Sequence, residues 1–542
     1  MHQSGLTILI LTSIFATGCT DTLAESSDGT GSSSVASESS TGPPTSSSTV
    51  GPSSTAPESS SGHFVGCGDA VIEGDEACDD GNQDDSDFCT NTCTLPICGD
   101  SLIQADEACD DGDESAICDA DCTPVICGDG VRNIPASEAC DDGNSEPGDA
   151  CSTHCEPTKI RSLAVGGEFA CIAFESGTVR CWGQGEYGAM GSGETDDFGN
   201  APGELPVADI LLGGPVQALA AGMRHVCALL ESGVINCWGY NGQGQLGHKQ
   251  LGTAVGDLPG EMPPPAVPLD TPARSIAAGQ KHTCAILAGK SVRCWGDASY
   301  GALGQSSLTV GVPGISNAEQ LALGANYSCV RLETGEVRCW GANDFGQLGL
   351  GHTNAIDTLE EMPPDPVDLG GDLAVEISAG TSHSCARTES GKLRCWGRGF
   401  YGALGNGALS DVGAKPDSLP VPPVVLDEAA ARVATGSLHS CAVLASGAVR
   451  CWGDGRFGVL GYGDTQKLVE PPSLSLDLGG AAQIIASGGG SFADAALGTA
   501  TCALLLDDSL RCWGSNAFGQ LGQGNVENIG DDETPFNARV PF

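Results

Sequence analysis

Paired cysteines carry the clearest chemistry in this sequence. Seven times a Cys is followed, after nine residues, by Cys-Trp-Gly, and the seven Trp of the chain all occupy that place. Two antiparallel strands joined by a three-residue turn, such as Glu175-Ser176-Gly177, would bring the two Cys about 5 Å apart, within disulfide reach. Free thiols and metal ligation are the alternatives, although the Cys-x2-Cys spacing of zinc sites is missing. We predict seven cross-strand disulfides: Cys171–Cys181, Cys227–Cys237, Cys284–Cys294, Cys329–Cys339, Cys385–Cys395, Cys441–Cys451 and Cys502–Cys512.

Four histidines recur in register with these pairs, two residues before the first Cys: His225, His282, His383 and His439. A ring of His could bind a metal. Phe169, Tyr327 and Ala500 take the same place in the other units, which favours packing or hydrogen bonding within the unit. No Ser-His-Asp or Cys-His arrangement stands outside the repeat register, so we assign no catalytic residue.

Acidic turns near the N-terminus are the best candidates for ion binding. Three Asp-Asp-Gly turns place several carboxylates together, and calcium prefers six to eight oxygen ligands. The glutamate that completes an EF-hand loop is missing in each case, and a solvated acidic turn is the alternative. Calcium is the one cofactor that we consider, with these candidate ligands: Asp79, Asp80, Asp110, Asp111, Asp141 and Asp142.

The elements that position the Cys pairs form a long repeat. Successive Trp are 56, 57, 45, 56, 56 and 61 residues apart, and each unit contains about four short apolar segments bounded by Gly and Pro. This pattern predicts an all-β fold, a seven-bladed β-propeller over residues 158–542. In the second unit, 206–210 (PVADI) and 216–220 (VQALA) are predicted strands. The tail 537–542 is predicted to supply the missing outer strand of the first blade and so to close the ring.

The motifs of the repeat support this architecture. The pattern Gly-x2-His-x-Cys-Ala-Leu, as at 222–229, then Gly-x-Val-x-Cys-Trp-Gly, as at 177–183, then Gly-Gln-Leu-Gly, as at 244–247, resembles the regulator of chromosome condensation repeat. The last motif recurs at 346–349 and 519–522 and drifts to GALG, GVLG or GAMG elsewhere. The resemblance implies a seven-bladed propeller. The chromatin and nucleotide-exchange roles of that family do not carry over, because this chain is acidic and is predicted to be exported.

Residues 66–157 contain three copies of a different unit, each with four Cys and almost no apolar residues. Units of this size need covalent bonds to fold, so we predict a disulfide-rich region with two bonds per copy. Four Cys allow three connectivities, and the sequence does not choose among them. The copies resemble the four-cysteine repeats of the myxobacterial cysteine-rich repeat family.

The N-terminus predicts export. Residues 1–18 contain a short apolar run typical of a signal peptide, and Ala16-Thr17-Gly18-Cys19 resembles the lipobox of bacterial lipoproteins. That resemblance implies cleavage before Cys19, lipidation of its thiol and anchoring at the cell outer membrane or cell surface. An ordinary secreted protein is the alternative. Residues 19–65 then form a Ser/Thr/Pro-rich segment without apolar periodicity, which predicts a disordered linker.

The net charge of the chain restricts the classes of partner that it can bind. The net charge of −47 disfavours nucleic acid as a partner and leaves the membrane to be reached only through the N-terminal lipid. We expect a monomeric, non-catalytic scaffold that binds an unknown protein or a surface glycan through its propeller loops. Two alternatives remain: a lyase-like propeller enzyme, and a secreted inhibitor of an extracellular enzyme, since a propeller of this repeat class is known to block β-lactamases.

Overall fold

A computed structural model of the chain describes residues 159–541 apart from 206, 249–251, 306–310 and 489–499, together with scattered stretches between 67 and 133. The predicted signal peptide, Cys19 and the linker lie outside the described residues, as do four of the calcium candidates: Asp110, Asp111, Asp141 and Asp142. Within the described part of the chain, no helix has the length and apolar character needed to cross a membrane.

Seven antiparallel sheets make up the described propeller, which confirms the predicted all-β, seven-bladed fold. Blade one contains β1 (Ile160–Val165), β2 (Phe169–Phe174) and β3 (Val179–Gly183). Blade two contains β4 (Val216–Ala221), β5 (His225–Leu230), β6 (Ile235–Tyr240) and β7 (Ala254–Val255). Blade three contains β8 (Ala273–Ala278), β9 (His282–Leu287) and β10 (Val292–Gly296). Blade four contains β11 (Ala318–Leu323), β12 (Tyr327–Leu332) and β13 (Val337–Gly341).

The remaining three blades follow the same plan. Blade five contains β14 (Ala374–Ala379), β15 (His383–Thr388), β16 (Leu393–Gly397) and β17 (Pro423–Val424). Blade six contains β18 (Ala430–Thr435), β19 (His439–Leu444) and β20 (Val449–Gly453), and blade seven β21 (Ala482–Ser487), β22 (Ala500–Leu505) and β23 (Leu510–Gly514). Short 3-10 turns lie in the loops, at Glu186–Gly188, Ser299–Gly301, Leu359–Glu361, Pro416–Ser418, Arg456–Gly458 and Pro535–Asn537.

The first strand of each blade lines the axis. These innermost strands contact one another in sequence, and β21 contacts β1, so the ring is complete. The second strand is the most buried: β2, β5, β9, β19 and β22 are covered along their whole length, because both of their faces meet a neighbouring blade. This explains why apolar residues fill consecutive positions of these strands, as in Cys284–Leu287, rather than alternating ones.

A hairpin turn joins the second and third strands of blade one as predicted. Phe174 and Thr178 flank a three-residue turn, and the Gly177 N–H donates to the Phe174 carbonyl over 3.0 Å. Gly177 has φ +95°, and a Cβ there would lie 2.6 Å from the Cα of Pro215. Only glycine meets both demands, because other residues are strained at positive φ.

The outer edges of the blades correct two predictions. Ile210 pairs with Val179, so the end of the strand predicted over 206–210 belongs to blade one rather than to blade two. Arg539 pairs with Arg511, so the C-terminal tail completes blade seven rather than blade one. Each blade is therefore built from one contiguous stretch, whose outer segment returns to its own Cys-Trp-Gly strand after a long loop.

Ring closure depends on packing between blades seven and one. Trp182 of blade one donates its indole N–H to the Gln520 carbonyl of blade seven over 3.0 Å. Buried side chains from both blades, including Ile172, Leu504 and Val540, form one apolar cluster with it. Burial of this kind is the main stabilising term of such an interface.

In the first four-cysteine copy the disulfides are nested. Cys67 bonds to Cys93 and Cys78 to Cys89, so the first Cys pairs with the fourth and the second with the third. In the second copy Cys109 bonds to Cys118, which is the same inner pair. The structure thus selects one of the three connectivities that the sequence allowed.

Candidate functional site

The Cys pairs of the blades are placed as the sequence predicted, and the structure joins all seven as disulfides with Cα–Cα distances of 4.0–4.1 Å. Both Cys of a pair occupy facing positions on the second and third strands, as Cys171 and Cys181 do. All fourteen are at most 2% exposed. They are structural bonds that solvent and reagents do not reach.

The Trp of every blade binds the preceding blade. Each indole N–H donates over 2.9–3.0 Å to the carbonyl of the second residue of the previous Gly-x-x-Gly motif, as Trp295 does to Gln245. The last glycine of the motif, such as Gly247, packs against the same indole. Since the bond uses a backbone carbonyl, the second residue is free to vary among Gln, Ala and Val.

The recurrent histidines also act between blades. His225 Nε2 lies 2.9 Å from the Thr283 hydroxyl of blade three, which itself donates to the Gln245 carbonyl. Because that hydroxyl has a single proton, it accepts from His225, which fixes the Nε2–H tautomer. The prediction of a bond within the unit is wrong, since the partner belongs to the next blade. Four equivalent contacts follow: His282–Ser328, Tyr327–Ser384, His383–Ser440 and His439–Thr501.

The two exceptions support this account. Blade one has Phe169 at the histidine position, and the facing residue of blade two is Val226; blade seven has Ala500, and the facing residue of blade one is Ala170. A polar group therefore stands at the position only where the next blade provides a hydroxyl. This matching follows from the cost of burying a polar group without a partner.

Burial holds these histidines in the neutral form. Desolvation lowers the pKa of His225 and His383 to about 3 and that of His282 and His439 to about 4. Their Nε2 atoms are used by hydroxyls of neighbouring blades. Among the described residues, no group of candidate metal ligands includes a histidine. The histidines stabilise the blade interfaces.

The axis of the propeller is narrow. One glycine per blade follows the innermost strand: Gly166, Gly222, Gly279, Gly324, Gly380, Gly436 and Gly488. A Cβ on Gly222 would lie 2.1 Å from the ring of His225 and 2.5 Å from the Gly279 carbonyl oxygen of the next blade. The cavity that remains has about 70 Å³ and is lined at its base by the last residue of each innermost strand, from Val165 to Ser487.

The lining of this cavity offers little chemistry. None of the lining residues that the structure describes is titratable. In addition to Gly and Ala they are Val165, Met223, Gln280, Leu323, Thr381, Thr435 and Ser487. In blade seven, residues 489–499 stand where the other blades have two residues, and this insertion is not described. A lyase-type site needs acid–base groups at such a place.

The long loops all leave the propeller from one end. Because neighbouring strands are antiparallel, the connections from first to second strand and from third to outer strand share an end, which we call the loop end. The short hairpin turns occupy the opposite, hairpin end. At the loop end, the residue before the first glycine of Gly-x-x-Gly is aromatic in six blades: Tyr187, Tyr300, Phe345, Tyr401, Phe457 and Phe518.

Cations from neighbouring blades cover several of these rings. The Arg398 guanidinium carbon lies 4.4 Å from the Phe345 ring centre and 5.3 Å from that of Tyr401. Arg456 lies 6.0 Å from the Tyr401 ring, and the Lys467 ammonium lies 5.6 Å from the ring of Phe400, which is 56% exposed. We call this set the cation–aromatic cluster: Phe345, Arg398, Phe400, Tyr401, Arg456 and Lys467.

An open groove of about 780 Å³ lies beside the cluster, between the long loops of blades four and five. Asp344, at its edge, precedes Phe345 of the cluster in the chain, and Asp411 accepts the Gly399 N–H over 2.9 Å. Leu419 and Pro420 contribute apolar surface, and the size falls within the range of ligand pockets.

Of the calcium candidates, the structure describes Asp79 and Asp80. The Asp79 carboxylate accepts four backbone N–H groups, from Gly68, Asp69, Ala70 and Gly81. Desolvation raises the pKa of Asp79, but these donors together outweigh it and hold the pKa below its usual range. Its oxygens also lie near Glu76 and Cys93, and Cys93 is bonded to Cys67. Asp79 thus organises the turn, and calcium binding stays a prediction.

The interblade Trp bonds, the glycines at the axis and the seven contiguous blades define a class of repeat propeller. The RCC1-like domain model matches residues 115–426, and the regulator of chromosome condensation (RCC1) repeat model matches 430–459 and 498–520. The chain belongs to the RCC1-like family.

Known proteins agree with this assignment. The chain is 34% identical over 392 residues to the ultraviolet-B receptor UVR8 of Arabidopsis thaliana, covering 71% of each. It is 30% identical over 320 residues to the mouse E3 ubiquitin-protein ligase HERC2, a match that covers 58% of this chain but only 5% of the ligase. Yeast RCC1 (Prp20), solved with Kap60, shares the fold with a TM-score of 0.52 at 19% identity, over 70% of this chain and 85% of that one.

Sequence reasoning missed the cation–aromatic cluster and the interblade role of the histidines. The aromatic residue before each turn glycine was a visible signal, because it recurs in six of seven units. The histidine partners were also readable, as a hydroxyl residue follows the His position in the next unit. Both signals become informative only when neighbouring units are compared.

Proposed function

We propose that this chain is an exported, lipid-anchored, non-catalytic scaffold that docks a partner protein on the loop end of its propeller. The observation that carries the proposal is the asymmetry of the two ends. The loop end bears the long loops, the groove and the exposed cation–aromatic cluster. The hairpin end bears short turns of the Glu175-Ser176-Gly177 kind. Aromatic residues and Arg are the side chains enriched in protein interfaces.

Sulfur chemistry supports export. Disulfides persist in oxidising compartments and are rare in the cytosol. The seven blade pairs and the described four-cysteine pairs are all bonded. The predicted leader of residues 1–18 and Cys19 would then provide a route to a membrane surface.

Anchoring is tested by labelling the producing cells with radioactive palmitate. The full-length chain should incorporate label and fractionate with the outer membrane, and Cys19→Ser should lose the label and appear in the medium. Label that persists in the variant, or its absence from the wild type, would remove the anchor from the proposal.

Docking is tested with the Cys19→Ser chain as bait for proteins of the cell envelope. The same partner should be retained by a variant of the hairpin end, Ser176→Asn, and lost by a loop-end variant, Phe400→Ser with Lys467→Gln. Retention by both variants would place docking elsewhere. Covalent conversion of a captured small molecule would instead favour the lyase-type alternative.

A secreted inhibitor is the second candidate function. Such a protein needs exposed aromatic side chains at its contact surface, and Phe400 of the cluster, which is 56% exposed, is one. Inhibition is tested by adding the Cys19→Ser chain to β-lactamases hydrolysing nitrocefin. A stoichiometric loss of activity that disappears in Phe400→Ser with Lys467→Gln would select this function.

A further inference from the structure

We propose that the cation–aromatic cluster and the adjoining groove bind an extended protein segment that carries an acidic residue next to a basic one. The inference rests on the proposed function and specifies its partner. The cluster would hold the carboxylate of the segment, and the groove would hold its apolar and cationic neighbours. The charges, the ring contacts and the shape of this part of the loop end favour such a segment.

The cluster is prepared to receive a carboxylate. Arg398 is held against two rings, Phe345 and Tyr401, which restricts its guanidinium before any ligand arrives. Restricting a long side chain in advance lowers the entropy that binding costs. Within the described chain, Arg456 is already paired with Asp454 over 2.6 Å, whereas the exposed Lys467 contacts the Phe400 ring and forms no ion pair with a carboxylate. Arg and Lys at such positions form strong, charge-assisted hydrogen bonds with carboxylates.

The rings do not offer the faces that a sugar would need. Arg398 covers Phe345, Arg398 and Arg456 both lie over Tyr401, and Lys467 lies over Phe400. Phe400 also stands edge-on to Tyr401 at 90°, with ring centres 5.0 Å apart. The surface therefore presents cations held by rings rather than open aromatic platforms, which favours a carboxylate over a stacked sugar.

The groove, in contrast to the cluster, favours a positively charged residue of the bound segment. Asp344, Asp411 and Asp417 line it together with one cation, Lys415, and with the apolar Leu419 and Pro420. Cations on one side and carboxylates on the other complement a segment with both signs. A polyanion such as a sulfated glycan or nucleic acid would meet these carboxylates and the net charge of −47, so it is disfavoured.

The test selects binders from a phage-displayed library of random twelve-residue peptides on the immobilised Cys19→Ser chain. The selected peptides should be enriched at least fivefold, over the unselected library, in sequences with an acidic and a basic residue within four positions. A synthetic copy of the best peptide should bind at least tenfold more weakly at 500 mM than at 50 mM salt.

Variants assign the binding to the cluster. Arg398→Gln with Lys467→Gln should weaken the peptide at least tenfold, and so should Phe400→Ser with Lys467→Gln, whose two side chains are exposed and not needed for folding. Arg432→Gln with Arg539→Gln removes the same charge elsewhere and should leave the affinity within twofold. The melting temperature of each variant verifies that it is folded.

Three outcomes would overturn the inference. These are selection of purely basic peptides, displacement of the peptide by a heparin hexasaccharide, and equal affinity of the cluster and control variants. Failure here is distinguishable from failure of the scaffold function. If envelope proteins are captured through other loops, the scaffold function is retained and the peptide site is rejected. If a peptide binds but no envelope protein is captured, the peptide site is retained and the scaffold function is rejected.

Discussion

The four-cysteine region and the propeller use the same bond for different purposes. Among the described residues before 159, the buried apolar side chains are Cys89, Cys93 and Cys118, so the sulfur atoms are themselves the interior. In the propeller each disulfide lies in a large apolar core beside a buried Trp. One bond type is thus the basis of folding in one region and an addition to an apolar core in the other.

Removing one disulfide from each region should give the largest contrast. Cys78→Ala with Cys89→Ala is expected to unfold the first four-cysteine copy entirely, because no apolar core remains to hold it. Cys171→Ala with Cys181→Ala should cost about 3 kcal/mol by loop entropy and leave blade one folded. Hydrogen exchange with mass spectrometry measures both, and retained protection around Cys67 and Cys93 would contradict the contrast.

A buried Trp tests whether packing dominates in the propeller. Trp396→Ala is expected to destabilise by about 3–5 kcal/mol, because it opens a cavity between blades four and five. Trp396→Phe keeps most of the packing but leaves the Gln347 carbonyl without its 2.9 Å donor, which should cost about 1–2 kcal/mol. Denaturant unfolding measures both free energies. Equal losses would mean that the hydrogen bond, rather than the core, controls this interface.

Acid should destabilise the propeller through its buried histidines. Their folded-state pKa values of about 3 to 4 lie below the unfolded value near 6.5, so the unfolded chain binds protons first as the pH falls. Stability is complete above about pH 6.5 and decreases down to the folded pKa, by about 2 kcal/mol per histidine at pH 5.

A single substitution isolates this effect. His383→Tyr introduces the residue that blade four uses at the same position, where Tyr327 contacts the Ser384 hydroxyl over 3.0 Å. The variant should keep the interblade bond and bind about one proton fewer on unfolding at pH 5. Unfolding free energies between pH 5 and 7 measure the slope. A slope identical to that of the wild type would show that His383 does not contribute.

The smallest effect is expected at Asp79 in the four-cysteine region. Asp79→Asn removes the charge that favours the four backbone donors, and the turn that holds Gly68 and Gly81 should open more often. The disulfides would keep the copy together. Faster hydrogen exchange at the amides of Gly68, Ala70 and Gly81, without loss of either bond, is the expected result. Unchanged exchange rates would mean that the disulfides, and not the Asp79 carboxylate, stabilise the turn.

The features that the sequence predicted are local ones. Cys171 and Cys181 lie ten residues apart on one hairpin, so their pairing needs no knowledge of the fold. The number of blades follows from the Trp period. The assignment of 206–210 to blade two and of the tail to blade one was wrong. An outer segment pairs with a strand that lies across a long loop, and its Pro-Val pattern does not indicate which strand that is.

The cation–aromatic cluster could not be predicted because it forms between blades. Phe345, Arg398 and Arg456 belong to three successive loops, and only the rotation from blade to blade brings them together. The histidine contacts also form between blades, but the sequence carries a signal for them. His225 and Thr283 are 58 residues apart, yet the matching of hydroxyl to histidine along the repeat encodes their contact.

The contiguity of each blade has a consequence for folding during synthesis. A chain that emerges N-terminus first presents both cysteines of a hairpin almost together, and its outer segment arrives before the next sector begins. Oxidation of the blade cysteines can therefore proceed as the chain emerges, because each of them pairs with a cysteine ten residues away. The single event that needs the whole length is the meeting of Trp182 with Gln520, where the last sector reaches the first.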